Sequence, residues 1–216
     1  MRYALLPTKP LALAKSRLGS HLRDVDRQAL SYAMFHDVLD CLCRSPSVDA
    51  VAVVTADRRL LDVATRMRAL VVDEGSPRGL NGATAVGTAK CIEHGATSVL
   101  IVLSDLPLVT VEEIEALYVN LPASPHVRLV RSHEGLGTNA LLRLPPLAIS
   151  TRFGGRSFQD HVSAAADAEV SHSELDLPGL SFDIDTIEDL QALNHAVHPT
   201  RTLVEARKIG LLSAAH

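Results

Sequence analysis

The chain has 216 residues, of which 47% are hydrophobic and only 3% aromatic, with a formal net charge of -4. A chain of that size buries on the order of 70% of its unfolded surface, so one domain with a core of Leu, Val, Ala and Ile is expected. Net acidity argues against nucleic acid as a partner. Three cysteines (Cys41, Cys43, Cys91) with no histidine at ligand spacing argue against a disulfide framework or structural zinc, and the longest aliphatic run, residues 99–103, is far too short to span a bilayer. A cytoplasmic protein is the expectation.

Apolar runs of strand length alternate with amphipathic stretches of helix length, the pattern of an α/β sheet covered on both faces. The first strand, residues 3–6, opens into Pro7-Thr8-Lys9-Pro10 and then Ala14-Lys15-Ser16-Arg17-Leu18. The chain holds four lysines, at positions 9, 15, 90 and 208, and two of them stand in this one loop. Lys is a compact point charge and Arg a planar fork, so Lys9, Lys15 and Arg17 read as phosphate ligands. Helices follow at residues 25–43, 58–67 and 82–93, alternating with strands at residues 50–54, 69–72 and 99–103.

In an open α/β sheet, ligands bind beyond the carboxyl ends of the strands. Asp105 stands there, directly after residues 99–104 and before Leu106-Pro107. It is not needed as a cap, because Thr110 with Glu113 makes a capping box for the next helix. After Leu121 two strand-like segments, residues 127–130 and 140–144, lie without a helix between them, which predicts an antiparallel pair and a mixed sheet. The loop between them carries Gly135-Leu136-Gly137-Thr138-Asn139. A second glycine loop, Phe153-Gly154-Gly155-Arg156-Ser157-Phe158, opens a helix over residues 157–166 that contains His161, a residue that reads equally as packed or catalytic. Free backbone N–H groups at such a helix start favour an anion.

The last acidic feature is Phe182-Asp183-Ile184-Asp185-Thr186-Ile187-Glu188-Asp189-Leu190. Residues 181–185 are expected to be extended, which places Asp183 and Asp185 on one face. Two such carboxylates repel unless a cation lies beside them. Magnesium is the simplest candidate, held by Asp105 and Asp185 together with phosphate oxygens. Thr186 caps a helix over residues 187–195, and the domain ends near residue 198. Residues 199–216 form a tail, helical over residues 203–211, that docks, dimerises or frays.

These motifs, in this order, resemble the 2-phospho-L-lactate guanylyltransferase family, which makes the phospho-acid nucleotide intermediate in biosynthesis of the deazaflavin coenzyme F420. The residues that carry the resemblance are Lys15-Ser16-Arg17-Leu18, Gly79-Leu80-Asn81, Asp105-Leu106-Pro107, Gly137-Thr138-Asn139, Phe153-Gly154 with Ser157 and His161, and Asp183-Ile184-Asp185-Thr186. The resemblance covers residues 1 to about 195. It implies a single-domain nucleotidyltransferase fold of the glycosyltransferase-A-like kind, with a mixed, mostly parallel sheet flanked by helices. It also implies GTP as donor, with Lys9, Lys15, Arg17, Gly79, Leu80 and Asn81 around the nucleotide. Magnesium is implied at Asp105 and Asp185, with Lys15, Arg17, Asp105 and Asp185 catalytic. An acceptor carboxylate is implied near Thr138, Gly154 and Ser157. Family members use 2-phospho-L-lactate, phosphoenolpyruvate or 3-phospho-D-glycerate, and a homodimer is possible. One departure is visible: Ile187 stands where the family usually has proline, which is expected to alter the helix start slightly. A nucleotidyltransferase that forms a nucleotide sugar or a molybdopterin dinucleotide shares the sheet and the basic loop. A non-enzymatic nucleotide-binding module is the reading from another class, and it has no need of both Asp105 and Asp185.

Overall fold

The structure, a computed structural model, describes residues 1–195 and 198–212; the side chains of Arg17 and Ser20 also lie outside the description. Strands β1 (Arg2–Pro7), β2 (Ala50–Thr55), β3 (Leu70–Asp73) and β4 (Ser98–Val102) run parallel, joined by helices α1 (Asp24–Arg44), α2 (Arg58–Arg66) and α3 (Gly79–Glu93). Then come α4 (Val111–Ala116), β5 (His126–Arg131), β6 (Thr138–Leu144), α5 (Ser157–Asp167), β7 (Ser171–Glu174), α6 (Pro178–Ser181), α7 (Ile187–Ala192) and α8 (Arg201–Lys208). The seven-stranded sheet has the order β3-β2-β1-β4-β6-β5-β7. Only β6 is reversed, antiparallel to both neighbours, and β7 runs parallel to β5. The carboxyl ends of β1, β4 and β5 and the amino end of β6 therefore share one edge. No described helix is long and apolar enough to cross a membrane.

Side chains that alternate along a strand divide between two cores. Ala4, Leu6, Leu100 and Val102 pack with Phe35, Leu39, Leu60 and Ile114 on one face, while Tyr3, Leu5, Val99 and Ile101 pack with Ala83, Cys91, Phe158 and Ala165 on the other. α3 lies so close to the sheet that a Cβ on Gly87 would meet side-chain atoms of Leu5 and Val54 at 2.5 Å. A third, smaller cluster sits off the sheet. It gathers Leu18 from the first loop, Leu30 and Met34 from α1, Ile184, Leu190 and Leu193 from the α7 region, and Leu203, Ala206 and Leu212 from the tail.

Most expected elements form within two residues of the sequence reading, as helix ends generally do. Four differences have physical reasons. α3 starts at Gly79, three residues before the expected position, with Gly79 in a left-handed conformation at φ 71°. β7 was not expected, because its four residues are polar and mostly exposed and carry no apolar alternation. Residues 181–185 are not a strand: Pro178 starts the short helix α6, which ends at Ser181, and the backbone N–H of Gly179 is held by Glu113 Oε1 at 2.7 Å. The expected helix over residues 187–195 is α7 followed by a 3-10 turn at Leu193–His195. Ile187 takes the first helical position after the Thr186 cap, the place where a proline also fits, so the substitution leaves the helix start in place.

The tail helix α8 packs on α1 and contributes Leu203, 4% exposed, to the third cluster. Leu203→Ala is expected to cost about 2–4 kcal/mol of stability, because it opens a cavity in a cluster too small to relax around it. Urea unfolding of the full chain measures this, and a change below about 1 kcal/mol would mean that the cluster is loosely packed.

Candidate active site

Three segments far apart in sequence meet at the shared edge. After β1 the chain makes one 3-10 turn at Leu11–Leu13 and another at Ser16–Ser20, with Lys15 between them at φ 50° and ψ 42°. A left-handed conformation is unfavourable for a residue with a Cβ and persists only where the surroundings impose it. Here they do. Leu11 N donates to Asp57 Oδ2 at 2.9 Å, the buried Arg27 of α1 donates to Ala14 O and, at 3.3 Å, to Ala12 O, and Leu18 is buried in the third cluster. Lys15 is thereby aimed inward, and its Nζ donates to Asp105 Oδ2 at 2.6 Å and to Asp185 Oδ1 at 2.9 Å.

Both carboxylates are held from behind. Ile184 N donates to Asp105 O at 3.1 Å, which ties the two acidic segments together through the backbone. Asp189 closes a capping box with Thr186 and also accepts from Asp185 N at 2.9 Å. The Lys15 side chain is 8% exposed. Burial alone would lower the pKa of its ammonium, yet the charges and hydrogen bonds of Asp105 and Asp185 outweigh that and hold it above its ordinary value. The lysine therefore stays charged.

The donor set fits magnesium. Asp105 and Asp185 converge on one cation, and Asp105 Oδ1 is buried without a hydrogen-bond partner. Among the described residues no group of three or more His, Cys, Asp or Glu is arranged to hold a metal. Two carboxylates alone suit an ion that completes its shell with phosphate oxygens and water, and not structural zinc.

Asp183 does not share the lysine. Its side chain meets Asn139, whose Nδ2 donates to it at 3.0 Å, and His133, whose Nδ1 lies 3.3 Å away. Burial, with smaller contributions from Asp105 and Asp185, pushes its carboxyl pKa up. His133 also approaches Asp189 at 3.4 Å, so it bridges the β5–β6 loop to the helix that positions Asp185. Sequence reading missed Arg27, Asp57 and His133, since a charged residue that serves another loop leaves no local pattern.

The two glycine loops come together. Thr138 and Ser157 are 1% and 3% exposed, and their hydroxyl oxygens have partners inside the protein: Thr138 N donates to Ser157 Oγ at 2.9 Å, and Thr138 Oγ1 meets His161 Nδ1 at 3.0 Å. These contacts join β6 to α5 beside the exposed Gly154. Gly154 is exposed at the mouth of α5. His161 is fully buried and accepts from Arg152 N at 2.9 Å through Nε2, so Nδ1 carries the proton toward Thr138. Gly79, Leu80 and Asn81 form the first turn of α3, and the carboxamide of Asn81 pairs with the backbone of Phe153. Lys9 is exposed just past β1. Arg17 has its backbone in the second 3-10 turn; its side chain lies outside the described residues.

A largely parallel α/β sheet with a lysine loop after its first strand and two converging carboxylates at its edge is the arrangement of a nucleotidyltransferase. A solved nucleotidyl transferase from Methanothermobacter has the same fold, with a TM-score of 0.68 at 14% identity, covering 91% of this chain and 96% of that one. The sequence from residue 2 to 212 matches the family described as guanylyl transferase CofC like. A phosphoenolpyruvate guanylyltransferase of Sphaerobacter thermophilus is 37% identical over 88% of this chain and 91% of its own length. A 2-phospho-L-lactate guanylyltransferase of Methanothermobacter thermautotrophicus is 35% identical over 87% of this chain and 81% of its own. The chain belongs to the CofC-like guanylyl transferase family.

His161 yields a pH prediction. Burial first, then the nearby charges of Arg143 and Arg152 against an opposing Asp160, lower its pKa from 6.5 to about 4. Between those values the unfolded chain binds a proton that the folded one does not, so stability falls as pH drops from about 6.5 toward 4 by up to roughly 3 kcal/mol. Denaturant unfolding of the wild type and His161→Asn across that range is expected to diverge at the high end and converge at the low end. Parallel curves would mean that folding does not lower the pKa of His161.

Proposed function

We propose that this chain transfers GMP from GTP to the phosphate of a small phosphorylated carboxylic acid, with magnesium, and releases pyrophosphate, as a cytoplasmic step of coenzyme F420 biosynthesis. The observation that carries the reading is the meeting of Lys15, Asp105 and Asp185 at 2.6 and 2.9 Å in a member of this family. The acceptors named for its relatives make a phosphorylated acid the substrate class.

The acceptor phosphate is already an anion near neutral pH and attacks the α-phosphorus directly. A new bond forms between an acceptor phosphate oxygen and that phosphorus, and the bond from it to the bridging oxygen breaks as pyrophosphate departs. No general base is required, so catalysis reduces to positioning and charge neutralisation. Asp105 and Asp185 would hold magnesium, which when bound neutralises charge on the phosphates and draws their oxygens together. Lys15, released from the carboxylates it now joins, and Arg17 in the next turn stabilise charge on the departing pyrophosphate, with Lys9 nearer the loop's outer side. The acceptor carboxylate is taken by the exposed amides of residues 154–155 at the start of α5, an eleven-residue helix whose dipole favours an anion there. Gly79 and Leu80 lie toward the nucleoside.

Pyrophosphate release from GTP and magnesium, tried with phosphoenolpyruvate, 2-phospho-L-lactate and 3-phospho-D-glycerate separately, tests the reading. Turnover with one of the three is expected, and none with any would reject it. Asp105→Asn and Asp185→Asn are expected to lower that turnover at least a hundredfold with circular dichroism unchanged, and near-normal rates would remove the metal site. Lys15→Ala is expected to slow the reaction at saturating GTP, since charge on the leaving group grows in the transition state. Full recovery at high GTP would make Lys15 a ground-state binder.

A further inference from the structure

Asn81 is spent on a single distant residue. Its Nδ2 donates to Phe153 O at 2.9 Å and its Oδ1 accepts from Phe153 N at 2.8 Å, so the carboxamide lies against that peptide as a neighbouring strand would. A carboxamide engaged through both polar atoms has one N–H and one lone pair left, which diverge, so the edge on which donor and acceptor point together, the one that reads a base bidentately, is already occupied. The same side of the strap, residues 149–153, is fastened at successive points. Arg143 Nη1 donates to Ile149 O at 3.2 Å, Thr84 Oγ1 lies 3.0 Å from Thr151 Oγ1, and Arg152 N donates to His161 Nε2 at 2.9 Å. Asn81 is the last of these fastenings. Immediately beyond it stand Gly154 and Gly155, exposed and with nothing within 4 Å of where a Cβ would be.

The chain thus changes at Phe153 from a segment pinned by side chains to a pair of glycines that have no side chain to fix them. Their direction is set by the peptide on either side: Ser157, buried, at the α5 end, and Phe153 at the other. We infer that Asn81 is a positioning residue for the acceptor, which fixes the Phe153 peptide and with it the amides of residues 154–155, and that it does not discriminate the nucleobase. This rests on the reading that those amides hold the acceptor carboxylate. It also links the first turn of α3, on the nucleoside side, to the acceptor loop, so that the two halves of the cleft are joined by one side chain.

The variants are Asn81→Ala, which removes both hydrogen bonds, and Asn81→Asp, which keeps an acceptor for Phe153 N but sets a carboxylate oxygen against Phe153 O. Melting temperature shows that each is folded; if the alanine variant is not, Asn81→Ser replaces it. Steady-state rates with whichever phospho-acid the wild type uses are expected to show an acceptor KM raised at least tenfold in both variants. The GTP KM and the preference for GTP over ATP stay within about twofold of the wild type. A raised GTP KM or a lost preference for GTP at unchanged acceptor KM would overturn the inference and make Asn81 a base reader. Wild-type kinetics in both variants would overturn it as well. Absence of turnover by the wild type itself, with all three acids, would instead reject the proposed function on which it rests.

Discussion

Two carboxylates brought to one point at the edge of a sheet repel, and the fold has to supply a cation there before it can hold them. Lys15 does so with Nζ at 2.6 Å from Asp105 and 2.9 Å from Asp185. Much of the rest of the site follows from aiming that one side chain. Its left-handed backbone, the grip of Arg27 on the preceding carbonyls and the burial of Leu18 all hold the first loop inward. An ammonium is a suitable occupant for such a place, because it attracts both carboxylates and offsets part of their charge while leaving Asp105 Oδ1 unpartnered. In the proposed reaction the same charge is carried from the carboxylates to the phosphates.

The third apolar cluster is what allows two distant loops to share this geometry. Leu18 lies three residues from Lys15, and Ile184 immediately precedes Asp185; both are buried among α1, the α7 region and α8. A change in how that cluster packs moves the lysine and the aspartate relative to Asp105, which is anchored separately at the end of β4. The backbone bond from Ile184 N to Asp105 O opposes that movement. The tail helix therefore shares its packing with the segments that carry Lys15 and Asp185.

The opposite wall of the cleft is built differently. There buried hydroxyls and a neutral histidine join β6 to α5, and side chains of α3 fasten the strap over residues 149–153. Polar groups so placed hold that wall rigid, and in the proposed reaction the acceptor carboxylate is taken by the exposed glycine amides at the helix mouth. One wall presents side-chain charge and the other backbone dipoles, a division that suits the proposed reaction, in which one anion departs while another is held still.

The sequence by itself determined the layered α/β class, the order of most elements and the reversed strand, because strand-length apolar runs and helical periodicity are local signals. It also singled out Lys15, Asp105 and Asp185, each standing just past an apolar segment. It was misleading for residues 181–185 and silent on β7, where four polar residues pair only because an edge of the sheet was available. Only the tertiary structure decided how the hydroxyls of the glycine loops are partnered. Thr138 and Ser157 lie on glycine loops in the sequence, yet packing of α5 against β6 buries both. Likewise nothing near Asn81 or Arg27 in the chain announces Phe153 or Ala14, since a side chain that serves a distant backbone leaves its signal in space and none along the sequence.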